Sequence, residues 1–84
     1  MLRSEYDPQA DTLYVYLSDL PYAFGEDLDY ARRVDYAKDG TPVGVELLYV
    51  SQGVDLRALP QASDLAAVRD IVKSCGSGHD QAAV

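Results

Sequence analysis

Four carboxylates have the types and positions that could do chemistry in this chain: Asp7, Asp11, Asp35 and Glu46. Asp7 and Asp11 stand four residues apart in a turn, and Asp35 and Glu46 could join them if their strands stack that way. Such an oxygen-rich set suits a hard cation such as Ca²⁺ or Mg²⁺, or a small carboxylate-based hydrolase. Each residue also has a plainer reading. Asp7 precedes Pro8 and fits an Asx-type turn, Asp11 caps the start of a strand, and Glu46 pairs with Arg33 across a ladder. The spacing is not that of a calcium loop. Glu46 interrupts the apolar run from Val43 to Val50, surroundings that favour acid–base work, but an Arg33 partner makes a salt bridge the favoured reading. Nucleophiles are poorly served. Cys75 falls at a helix C-terminus, the wrong end of the dipole for activating a thiol. His79 lies in a tail that cannot orient it, and Ser18 and Ser51 have no evident base. No catalytic residue, metal ligand or cofactor is therefore assigned.

The elements that must position these groups show in the hydrophobic pattern. Leu13, Val15 and Leu17 alternate with Tyr14 and Tyr16, predicting a strand over 12–18. Tyr22, Phe24 and Leu28 mark a weaker strand interrupted by Gly25. A third runs over 31–37 and a fourth over 43–50. Asp39-Gly40 between the last two signals a hairpin. A two-residue loop there would set Val34 opposite Val45, Arg33 opposite Glu46 and Tyr36 opposite Val43. Residues 51–60 read as a connector. Ser63 is the expected N-cap of a helix over 64–74, with Leu65, Val68, Ile71 and Val72 as its apolar stripe and Gly76 as its stop. The expected fold is thus α+β: a four-stranded antiparallel β-meander with one C-terminal α-helix packed on one face. The domain spans 1–75, with a disordered tail over 76–84.

Composition narrows the function classes. The chain has 84 residues, 14 acidic against 7 basic, and a formal net charge of −7. Seven of the acids fall within the first 29 residues, where Arg3 is the sole base. No basic footprint exists for nucleic acid or an anionic membrane. A single cysteine and no apolar run of about 20 residues fit a reducing cytoplasm. Tyr14 and Tyr16 share the sheet face opposite Leu13 and Val15, and one helix covers only one face. An amphipathic tyrosine face beside an acidic segment suits a protein interface. Tyr14, Tyr16, Asp27 and Asp29 are therefore the expected interface residues, and the expected partner is a second copy of the chain (a homo-oligomer) or a basic protein.

Two segments, YDPQADTLYVYLSD (6–19) and VDYAKDGTPVGVELLYVS (34–51), carry Tyr6, Asp7, Ala10, Asp11, Leu13 and Tyr14, then Asp35, Gly40, Gly44 and Glu46. In order and spacing these resemble the paired signatures of the domain-of-unknown-function 2283 family of small bacterial and archaeal proteins. GVDLRALP (53–60) and the apolar helix after it also resemble many members, so the likeness covers most of residues 5–73. Arg32-Arg33 departs from the valine-rich third strand of many relatives. The resemblance implies no activity, because the family has none established. Some members sit beside genes for small toxin-like proteins, which implies an antitoxin-like role.

Overall fold

A computed structural model describes residues 2–83, with side chains described through Val72. Five strands, β1 (Ser4–Asp7), β2 (Thr12–Tyr16), β3 (Phe24–Asp29), β4 (Arg32–Tyr36) and β5 (Pro42–Leu48), precede a short 3-10 turn (Val50–Gln52) and helix α1 (Ala62–Ala83). The α+β class, the antiparallel pairing and the C-terminal helix are as expected. The strand count is not, because β1 adds a fifth strand. Asp7 accepts the amides of Gln9 and Ala10, turning the chain so that Tyr6 comes opposite Leu13.

The order across the sheet is β1-β2-β5-β4-β3, which corrects the expected meander. After β2 the chain passes to the far edge and returns through β4 to β5, which pairs with β2 at the centre. The amide of Leu17 bonds to Val43 and that of Ala23 to Tyr36, guiding the crossing. β5 is the most apolar strand, as a central strand flanked on both sides should be.

The β4–β5 register places Val34 opposite Val45 and Arg33 opposite Glu46, as the pattern required. Tyr36, however, faces Pro42 rather than Val43. The loop has three residues, not two: Ala37 and Thr41 close it, and Gly40 supplies the positive φ of 90° after the turn. This is the usual three-residue hairpin ending on a left-handed glycine. A bulge between Asp35 and Tyr36 then restores the register by leaving Val43 as the extra residue.

Alternation sends Leu13, Val15, Val34, Val45 and Leu47 to one face, where Val50, Leu59, Leu65 and Val68 close a single buried core. Helix α1 reaches this face through Leu65 and Val68, with Val72 packed at its margin. Ile71, expected in the stripe, is 44% exposed. Ser63 is not the N-cap, since the helix begins at Ala62 and the Leu65 amide bonds to the Gln61 carbonyl. Its bound at Ala83 lies past both Gly76 and Gly78, each of which costs a helix only about 1 kcal/mol. Cys75, His79 and the expected tail over 76–84 lie outside the residues whose side chains are described.

The connector into the helix is held by Arg32. Its guanidinium, 13% exposed, donates to the carbonyls of Asp55 and Arg57 and to Asp29. Among the described residues, no helix is long and apolar enough to cross a membrane.

Candidate functional site

The sheet face away from the helix is built from two adjacent ladder rows. One row crosses all five strands as Glu5, Tyr14, Glu46, Arg33 and Asp27. Its neighbour runs Tyr16, Gly44, Asp35 and Gly25. Two glycines therefore flank Asp35, and both vacancies are used. The Tyr14 ring lies over Gly44, where a Cβ would come within 2.5 Å of its Cζ, and its hydroxyl donates to Asp35 Oδ2 at 2.7 Å. The Arg33 guanidinium lies over Gly25, where a Cβ would come within 2.6 Å of both Arg33 Cζ and Asp35 Oδ1. It donates to Asp35 Oδ1 at 3.1 Å, Asp27 Oδ1 at 3.2 Å and the Tyr22 hydroxyl at 3.3 Å.

The arrangement continues toward β1. Tyr14 and Tyr16 meet edge to face with centroids 4.9 Å apart. Tyr16 donates to Glu5 at 3.0 Å, and Arg3 stands 4.0 Å above its ring. These contacts shift the titrating groups. Burial first, then the bond to Asp35 and the nearby negative charges, push the Tyr14 phenol well above its ordinary value. The bond to Glu5 raises that of Tyr16. Hydrogen bonds from Arg33 to Tyr22, Asp35 and Asp27 fix its positive charge further.

The four candidate carboxylates occupy different places. Asp7 caps the β1–β2 turn through the amides of Gln9 and Ala10. Asp11, at a φ of 54°, ties that turn to the 3-10 turn after β5 by accepting from Ser51 N and Ser51 Oγ, and it also accepts from the Tyr6 hydroxyl. Burial opposes its charge, and these bonds outweigh it, lowering its pKa. Asp35 and Glu46 alone share the outer face, on neighbouring strands. Among the described residues, no three His, Cys, Asp or Glu side chains group closely enough to hold a metal ion.

Arg33 stands opposite Glu46 in the ladder, yet its guanidinium turns to Asp35 and Asp27, correcting the expected Arg33–Glu46 salt bridge. The vacancy at Gly25 explains the turn, since it offers a path along β4 to a carboxylate already fixed by Tyr14. The Glu46 carboxylate is left with no hydrogen bond or salt bridge to any described residue.

The interface candidates fall in two groups. Tyr14, Tyr16 and Asp27 lie on the outer face. Asp29 lies at the β3–β4 turn, where the Ala31 amide and Arg32 hold its carboxyl below the usual range. The structure adds Tyr30, 83% exposed, with its ring 5.8 Å from that of Tyr49. Asp27, Asp29, Tyr30, Arg32, Arg33, Glu46 and Leu48 line an open depression of about 190 Å³. Tyr30 gave no strand-pattern signal because it sits in the turn, outside the alternation.

No curated protein and no solved structure matches the chain. The family model described as "Protein of unknown function (DUF2283)" matches residues 3–51, a span that holds all five strands and both glycine vacancies and stops before the connector and helix. With more than half its length matched, the chain belongs to the DUF2283 family.

Proposed function

We propose that this protein is a protein-binding module that engages a basic partner through the outer face of its sheet. The observation that carries the reading is the division of the sheet into two unlike faces. One is sealed by the core and helix α1. On the other, two rows carrying Tyr14, Tyr16, Arg33 and several carboxylates cross the strands without a covering element among the described residues. Tyrosine supplies large, stiff, amphipathic contact area, and the acidic β3 edge adds attraction for a basic surface. The antitoxin-like role implied by the family resemblance is one form such binding could take, acting from the cytoplasm.

The test is capture from a lysate of the native host, followed by kinetics on the identified protein. Asp27→Lys, altering a side chain 69% exposed, is expected to slow association. Tyr16→Ala is expected to speed dissociation by removing packed area. Self-association, read by sedimentation across a concentration range, would place the same face between two copies. A chain that stays monomeric, captures nothing and binds a divalent cation tightly through Asp7 and Asp11 would replace this reading with the metal-binding or hydrolase alternative.

A further inference from the structure

We infer that the depression beside Glu46 is a socket for one arginine side chain of the basic partner, an inference that rests on the protein-binding reading and gives its face a chemistry. Its volume, about 190 Å³, is below the roughly 300–1,000 Å³ of small-molecule sites and suits a single side chain. Three carboxylates and two guanidiniums line it, and both guanidiniums are already committed. Arg32 is spent on Asp29 and the Asp55 and Arg57 carbonyls, and Arg33 on Asp35, Asp27 and Tyr22.

Glu46 is the carboxylate left over. It stands mid-strand on the central strand, between Tyr14 and Arg33 in its row, with Leu48 next on the same face. The turn contributes Tyr30, an exposed ring backed by Tyr49. A carboxylate able to accept a two-pronged hydrogen bond, an aliphatic neighbour for the methylene stem and an aromatic plane for stacking are together what a guanidinium uses better than an ammonium. The net charge of −7 draws such a group toward the face without specifying where it lands. The unpaired Glu46 specifies it.

The probe is N-acetyl-arginine amide, titrated into the isotope-labelled full chain and followed by amide and side-chain resonances. Lysine and citrulline amides serve as comparators, citrulline being the uncharged near-isostere. The expected result is saturable shifts centred on Tyr30, Glu46 and Leu48, with both comparators weaker. Glu46→Gln and Tyr30→Ala should each weaken binding, Glu46→Gln by about fivefold, the upper range for a solvent-accessible pair. Tyr30 is so exposed that its loss leaves the fold intact, so that arm decides even if Glu46→Gln folds poorly.

Shifts spread over all carboxylates, equal binding of lysine or citrulline amide, or unchanged binding by both variants would overturn the socket. So would Tyr30 and Glu46 resonances that move with protein concentration alone, which would assign the depression to a second copy. A failed titration leaves partner capture and its dependence on Tyr16 standing. Loss of capture with the titration intact would instead refute the broader reading.

Discussion

Replacing Gly44 with alanine should unseat Tyr14. A Cβ there comes within 2.5 Å of Tyr14 Cζ, so the ring must lift from the sheet and release the 2.7 Å bond to Asp35. A hydrogen bond to a carboxylate contributes about 1.5–3 kcal/mol. Asp35 keeps its Arg33 partner, so no carboxylate is stranded. Gly44 is absent from the positive-φ glycines, so alanine fits the backbone and by itself stabilises by about 0.4–1 kcal/mol through the unfolded chain. The balance is a loss of about 1–2 kcal/mol for Gly44→Ala in the native background. With Tyr14→Ala already present the ring is gone, and Gly44→Ala should be neutral or stabilising. The coupling between the two positions is then about 1.5–3 kcal/mol, readable by urea denaturation of the four proteins at constant m-value. An equal cost of Gly44→Ala in both backgrounds would show that Tyr14 does not use the glycine vacancy.

The same contact has a pH signature. The folded pKa of Tyr14 is raised above the unfolded value of about 10. Its contribution is therefore complete below pH about 10 and lost as pH rises through the folded value. Tyr14→Phe should flatten the fall in stability above that point, and ultraviolet titration of that variant should lose a late-ionising phenol.

Two further outcomes test the sealed face and its connector. Leu65→Ala should cost about 2–5 kcal/mol in denaturation, whereas Ile71→Ala, at a half-exposed site, should stay within about 0.5 kcal/mol, and comparable losses would place Ile71 in the core. Arg32→Met should speed amide exchange across residues 53–61 without changing it in β2 and β5, because its guanidinium holds the carbonyls of Asp55 and Arg57, and unchanged exchange there would show that the clamp does not restrain the connector.

Local patterns carried much of the fold into view, and non-local pairing did not. Val34 opposite Val45 follows from period-two alternation on either side of Asp39-Gly40, since a slip would set Val34 against Gly44. β1 offers only Ser4-Glu5-Tyr6-Asp7, which has no apolar alternation and becomes a strand because Tyr6 packs beside Leu13. The β2–β5 pairing joins segments some thirty residues apart in the sequence, so neither segment alone announces it. Its one local trace is the apolar character of β5, the mark of a strand with neighbours on both sides.

The outer face was legible in its parts and not in its wiring. Tyrosine alternation placed Tyr14 and Tyr16 correctly, and register placed Arg33 opposite Glu46. What register could not supply is where a long side chain points, and here that is decided by residues that lack one. Gly44 admits the Tyr14 ring and Gly25 admits the Arg33 guanidinium, so both converge on Asp35 from opposite sides. A Cβ at position 25 would deny Arg33 that path and return it toward Glu46, the partner that the ladder alone suggests. The carboxylate left open on this face is therefore a consequence of two glycines in one row.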